Sequence, residues 1–132
     1  MNLLIPISPG ELLDKLSILE IKAERIDDLE KSANIQREQA LLEDAWDGSG
    51  LDSEEIRALQ ADLKLVNEAL WDIEDAIRLC EKTGNFGDRF IELARSVYIT
   101  NDRRAALKKD INKALGSVIV EEKSYQDYRG AP

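Results

Sequence analysis

The sequence contains no histidine, and this absence excludes several kinds of active site. Serine–histidine and cysteine–histidine catalysis, imidazole metal sites and a general base with an ordinary pKa near neutrality all depend on that residue. Cysteine occurs only once, as Cys80, so no disulfide is expected within the chain and a reducing cytoplasm is the expected location. Cys80 falls at the edge of an apolar helix face, which favours a structural thiol over a nucleophile.

Long apolar runs are also missing. The longest, LLIPI and VIV, are far shorter than the roughly 20 residues that span a bilayer, so no membrane segment or secretory signal is expected. The GSG at positions 48–50 lacks the pattern of a phosphate-binding loop. Carboxylate pairs three residues apart in the sequence project away from the apolar stripes, so no metal site is predicted. The sequence indicates no cofactor.

The charge balance argues against nucleic acid as a partner. There are 27 acidic and 18 basic residues, which give a net charge of −9. Affinity for nucleic acid comes largely from neutralising phosphates with lysine and arginine, so this chain is poorly suited to it. With 43% hydrophobic residues, 34% charged residues and few glycines or prolines, the composition favours a helical globular protein. A length of 132 residues fits one domain, at 1–132.

Capping and stop signals divide this chain into helices. Ser8 is followed by a proline at the first helical position and by Glu11, which completes a capping box. Gly84 and Gly116 are placed to end later helices. The sequence predicts an all-α antiparallel bundle of three long helices plus one short helix, and the apolar chain ends would allow a short β ribbon. The long helices are expected from Pro9, from Ser53 to Lys82 and from Phe86 to about Leu115, with the short helix at 32–46.

Each long helix also places polar side chains on the face that should be apolar. In the first helix, Lys15 and Lys22 project between two apolar ridges, roughly 10 Å apart along the helix axis. A cleft between helices that gathers such donors would bind a small carboxylate or phosphate. The anion-binding candidates are Lys15, Lys22, Tyr98, Asn101, Arg104 and Lys108, and the supporting polar residues are Asn67, Glu74, Arg78 and Glu122.

A structural interpretation of the same residues stays open. Glu11 can pair with Lys15 one helical turn away, and lysine stems can be buried while their ammonium groups reach water. Such pairs would join the helices without any ligand. On the ligand interpretation the cations are held at a cost in stability, so replacing Lys22 or Arg104 by methionine would stabilise the protein.

Four segments resemble those of a family of small bacterial proteins with a domain of unknown function. They are GELLDKLSILEIKAERI, LWDIEDAIR, LARSVYITNDRRAALKKDIN and VEEKSY, and the likeness covers nearly the whole chain. The resemblance implies a bacterial source and an association with genes for cell-surface saccharide synthesis, but no established activity. The shared motifs include Lys15, Lys22, Asn101, Arg104, Lys108 and Glu122.

Two classes of function are compatible with these features. The favoured class is a non-catalytic binding or scaffold module, and the alternative is a small enzyme or binder of an anionic metabolite. No nucleophile–base pair can be named, so the sequence leaves open whether the protein is an enzyme. The partners to consider are a small anionic ligand, another protein, or a second copy in a homodimer. A three-helix core would leave Trp46 or Trp71 exposed for such association.

Overall fold

Four α-helices form the regular structure of the protein in this computed structural model, which describes residues 1–130. The predicted all-α class is confirmed. The described residues contain no strand, so the β ribbon is not confirmed. The helix expected to be short has 21 residues and is longer than the first helix, which has 17. The helices are α1 (Pro9–Arg25), α2 (Leu29–Ser49), α3 (Glu54–Thr83) and α4 (Asp88–Ala114).

The helix ends follow local hydrogen bonding. The hydroxyl of Ser8 accepts a hydrogen bond from the amide of Glu11 at 3.2 Å, as the capping signal predicts. The side chain of Glu11 points to α4 and does not complete the capping box. Ser53 caps α3 by accepting from the amide of Ile56 at 3.2 Å, so this helix begins at Glu54, one residue after the predicted start at Ser53. Gly84 ends that helix with a φ of 69°, the left-handed conformation that favours glycine.

Helix α1 lies at the centre of the fold, since it alone packs against each of the other three helices. Helix α2 packs against α1, whereas α3 and α4 form a close antiparallel pair. No helix within residues 1–130 is both long enough and apolar enough to cross a membrane. The core cluster combines side chains from every helix, namely Leu12, Leu13, Leu16, Trp46, Ile56, Leu63 and Ile111.

The two tryptophans are less available for association than the sequence suggests. Trp46 is buried in the core cluster, so the prediction that it would be exposed is wrong. It is buried because α2 packs against α1 and brings this ring into the core cluster. Trp71 is half-buried, and the guanidinium of Arg25 lies 5.9 Å from the centre of its ring.

The first turn of α1 approaches α4 closely at Gly10. The Gly10 amide donates a hydrogen bond to the side-chain oxygen of Asn112 at 2.7 Å. A Cβ atom at this position would lie 2.6 Å from the carbonyl oxygen of Lys108, which is closer than packing allows. Glycine is therefore required here, and this contact sets the register in which α1 runs antiparallel to α4.

The segment after α4 runs back along that helix without forming regular structure. We call residues 117–130 the C-terminal segment. Glu121 contacts Lys108 at 3.1 Å, and the ring of Tyr128 lies 4.9 Å from that of Tyr98. The N-terminal segment, residues 1–7, instead lies beside α2, where Asn2 shares a cavity with α2 side chains. The two segments lie beside different helices, so they do not pair as strands.

Candidate functional site

Asp14 is the centre of a buried polar network that joins α1, α3 and α4. Its side chain is 1% exposed. The carboxylate accepts hydrogen bonds from the Asn67 amide at 2.9 Å and from Arg104 Nε at 3.0 Å. A second guanidinium nitrogen of Arg104 binds the other carboxylate oxygen. We call these three residues, together with Glu11, Ser17, Lys108 and Glu121, the Asp14 network.

The uncharged members complete the hydrogen bonding around Asp14. The Asn67 amide also donates to Ser17 Oγ at 2.7 Å, and that hydroxyl donates to the Asp14 carbonyl oxygen at 2.8 Å. Throughout the described residues, every buried side-chain nitrogen and oxygen has a hydrogen-bond partner. The network is therefore satisfied without any added group, as stable buried polar groups require.

Lys108 connects the buried part of the network to carboxylates nearer the surface. Its ammonium group binds the carboxylate of Glu11 at 2.6 Å and that of Glu121 at 3.1 Å, and it lies 3.9 Å from Asp14. Burial lowers the pKa of Lys108, but its hydrogen bonds to Glu11 and Glu121 and the charge of Asp14 outweigh burial and raise it. The hydrogen bond from Lys108 in turn lowers the pKa of Glu121. The lysine therefore stays charged and paired at neutral pH.

Arg104, one turn before Lys108 on α4, is also held by a carboxylate of the same chain, that of Asp14. Its hydrogen bond to Asp14 raises its pKa, although burial opposes this effect. The paired guanidinium nitrogens match the two carboxylate oxygens, which is the strongest geometry for an arginine–carboxylate contact. Arg104 and Lys108 thus lie inside the fold, as the sequence predicts, and both bind carboxylates of the same chain.

A groove between α1, α3 and α4 contains four of the predicted site residues. It has a volume of about 290 Å³, and its remaining lining is mostly apolar. The guanidinium of Arg104 forms part of the wall but is engaged by Asp14. Glu74 pairs with Arg78 one turn away on α3, at 2.8 Å. The groove therefore presents few unengaged donors to an anion. The predicted residues that line it are Asn67, Glu74, Asn101 and Arg104.

The other candidates lie apart from this groove. Lys15 is half-exposed and lies 3.9 Å from Glu11 on the same helix. Lys22 is half-buried and makes no ion pair with another described residue. Tyr98 lies on the outer side of α4, facing the C-terminal segment, and Glu122 is exposed. The structure thus distributes the predicted residues among the Asp14 network, the groove and the surface.

The sequence interpretation missed Asp14, Ser17 and Glu121. Asp14 and Ser17 are one turn apart, and Ile21 follows one turn later, so all three share a face of α1 that the predicted stripe did not include. This helical spacing was the sequence signal that could have placed Asp14 and Ser17 on a buried face. Glu121 had no comparable signal, because irregular chain has no side-chain period, and its neighbour Glu122 was selected instead.

The Asp14 network connects separate parts of the fold through hydrogen bonds and ion pairs. It brings a buried carboxylate and two cations together, and it ties three helices and the C-terminal segment in one register. Removing Arg104 would leave the buried Asp14 carboxylate with only partial compensation from Lys108, which costs much more than an exposed pair contributes. Every charged member of the network is paired with another member.

Comparison with known proteins agrees with the resemblance seen in the motifs. No curated protein and no solved structure gives a match to the chain. A family model described as "Family of unknown function (DUF6165)" matches residues 3–132. The chain therefore belongs to this family of unknown function.

Proposed function

We propose that the protein is a non-catalytic binding or scaffold module. The observation that carries this proposal is the pairing of the inward-facing cations with carboxylates of the same chain. Asp14 binds Arg104, while Glu11 and Glu121 bind Lys108. A ligand anion would have to displace a carboxylate that is almost fully buried, and the uncompensated charge left behind would be costly.

The extent of the surface supports a protein partner. The accessible surface area is 9514 Å², whereas a compact folded monomer of this mass exposes about 7,000 Å². The additional area of about 2,500 Å² is more than the ~800 Å² that one partner contributes to a standard interface. It arises because α2 packs only against α1 and because both end segments are extended.

Part of this area is apolar and lies in one region. Leu3, Leu4 and Ile5 are 83%, 96% and 72% exposed, and Leu41 on α2 is 56% exposed. Asn2 and Leu41 line the same cavity, which places the N-terminal segment beside this face of α2. We call Leu3, Leu4, Ile5 and Leu41 the N-terminal patch. Exposed apolar patches of this kind mark sites of protein association.

A second copy of the chain is the partner that we propose for this patch. Two copies carry the same net charge of −9 and repel one another at a distance, so an uncharged contact surface favours their association. A two-fold interface brings the same patch of both copies together and needs no complementary charge. The uncharged N-terminal patch satisfies both conditions.

Light scattering after size-exclusion chromatography tests this proposal. We expect the wild type to have twice the chain mass of 14.9 kDa at micromolar concentration. Leu4→Glu and Leu41→Glu should each give a single-chain mass, because a charge would be buried at the interface. Leu65→Glu, at a 65% exposed position on α3, is the matched control and should leave the dimer intact. A single-chain mass for the wild type at every concentration would overturn the proposal.

The alternative, a small enzyme or binder of an anionic metabolite, is favoured by the groove lined with Asn67, Asn101 and Arg104. It requires Arg104 to exchange Asp14 for a ligand carboxylate or phosphate. Citrate and glucose 1-phosphate would then raise the melting temperature of the wild type but not of Asn101→Leu. In either case the resemblance supports an accessory role in cell-surface saccharide synthesis, and the single cysteine supports a cytoplasmic location; we include both in the proposal.

A further inference from the structure

A separate cavity of about 350 Å³ lies between α4 and the C-terminal segment. The three tyrosines of the chain lie in its wall or next to it. Tyr125 and Tyr128 line the cavity itself, and Tyr98 lines a smaller adjoining one that also contains both of those residues and Asp102. This volume is within the range of small-molecule sites, and neither the core nor the N-terminal patch includes it.

The carboxylates in the wall of this cavity are already engaged. Glu121 is bound by Lys108 at 3.1 Å, and Asp127 is bound by Arg129 Nε at 2.9 Å. The third carboxylate, Asp102, faces the hydroxyl of Tyr128 on the C-terminal segment. The charged residues of the wall are Asp102, Lys108, Lys109, Glu121, Lys123, Asp127 and Arg129.

Lys109 and Lys123 remain as cations that make no ion pair with another described residue. One lies on α4 and the other on the C-terminal segment, so they reach the cavity from different parts of the chain. The wall therefore carries an excess of positive charge in a protein whose net charge is −9. Two ammonium groups beside one cavity are suited to a phosphate, which accepts hydrogen bonds from several donors.

The tyrosines add aromatic surface to these donors. The rings of Tyr98 and Tyr128 pack against each other, with centroids 4.9 Å apart. The hydrogen bond to Asp102 raises the pKa of Tyr128. Tyr125 is 82% exposed and stacks on no other aromatic ring in the described chain. Its open ring face can stack on a planar base.

We propose that this cavity binds a nucleoside phosphate, with the base stacked on Tyr125 and the phosphate bound by Lys109 and Lys123. A nucleoside phosphate combines the planar ring and the anion that these side chains recognise. The proposal goes beyond the scaffold role and does not depend on it, because the N-terminal patch and this cavity share no residues.

Isothermal titration calorimetry of the full chain at low salt tests the site. UMP and AMP are the probes, and uridine, inorganic phosphate and glucose 1-phosphate are the comparison compounds. The double variant Lys109→Gln/Lys123→Gln should weaken UMP binding about tenfold or more, since it removes both phosphate donors. Tyr125→Ala should weaken it by about fivefold or more, since it removes the stacking surface. All three positions are exposed, so these variants should fold.

The matched control is Lys31→Gln/Lys113→Gln, which makes the same change in net charge at exposed positions outside the cavity. It should bind UMP as the wild type does, and uridine or phosphate alone should bind much more weakly. The site is overturned if the wild type binds neither nucleotide at millimolar concentration, or if the control loses as much affinity as the cavity variant. Binding of glucose 1-phosphate or inorganic phosphate as tight as that of UMP would overturn the nucleoside class. The oligomeric mass measured by light scattering tests the scaffold separately.

Discussion

Replacing Arg104 by methionine removes the cation that binds Asp14 and keeps an aliphatic side chain of similar length. Asp14 is 1% exposed, so water cannot take over the two lost hydrogen bonds. Only the Asn67 amide at 2.9 Å and the more distant Lys108 at 3.9 Å would remain to stabilise the carboxylate. The structure therefore reverses the expectation from the ligand interpretation, under which this substitution would stabilise the protein.

The magnitude follows from the burial of the two partners. Breaking a buried ion pair by removing one member costs about 3–5 kcal/mol. The side chain of Arg104 is 30% exposed and Lys108 still offers partial compensation, so we expect a loss of about 3 kcal/mol, near the lower end. For a chain of this size, that loss lowers the melting temperature by roughly 10 °C. Lys22→Met removes a cation without an ion pair and should change stability by less than about 1 kcal/mol.

Urea unfolding followed by circular dichroism measures the free energies of unfolding of Arg104→Met and Lys22→Met. The double variant Asp14→Leu/Arg104→Met should recover much of the loss, because replacing both members of a buried pair by apolar groups is often neutral or stabilising. Asn67 would then keep its hydrogen bond to Ser17 at 2.7 Å. Arg104→Met as stable as the wild type, or a double variant whose loss equals the sum of the two single losses, would refute the reasoning.

Two further predictions concern how α4 contacts the rest of the chain. Gly10→Ala should cost about 1–3 kcal/mol of unfolding free energy, because its Cβ would lie 2.6 Å from the Lys108 carbonyl oxygen. A Cβ added at Gly48 would have no atom within 4 Å, so Gly48→Ala should instead stabilise α2 by about 0.5–1 kcal/mol. Equal changes in the unfolding free energies of Gly10→Ala and Gly48→Ala, measured by urea unfolding, would contradict both predictions. The pKa of Glu121 is lowered, so its stabilising pair with Lys108 is complete above the usual value of 4.5 and is lost as the pH falls through the lowered pKa. NMR signals of Tyr128 should report release of the C-terminal segment over that range, and a Glu121→Gln variant that shows the same pH transition would contradict this assignment.

The helix positions were predictable because the signals that set them are local. The Ser8 cap and the Gly84 stop involve residues within one or two turns, and both are confirmed. The predicted helix at 32–46 was shorter than α2, because apolar spacing marks only the part of a helix that packs against others. Only Ile35 and Trp46 are buried on that helix, because α2 packs only against α1, so its apolar pattern covers less of the chain than the helix does.

The partners in the polar network were harder to predict, because they depend on how many helices surround α1. A helix with one buried stripe would leave Asp14 near solvent, and on that assumption Lys15 and Lys22 interrupt the apolar face. In the structure α1 is surrounded by three helices and buries most of its circumference. Asp14 therefore lies inside, and Lys15 projects outward. The inward position of Arg104 was predicted correctly, because the apolar residues on both sides of it in α4 define that face.

The central claim of this account is that Asp14 holds Arg104 as part of the fold. Hydrogen exchange of the Arg104 Nε–H group, followed by ¹⁵N NMR, tests it most directly, because this group donates to Asp14 at 3.0 Å. The account predicts slow exchange of Arg104 Nε–H in the wild type and fast exchange in Asp14→Asn, with the exposed Arg89 exchanging quickly in both. Exchange of Arg104 as fast as that of Arg89 in the wild type would contradict the claim.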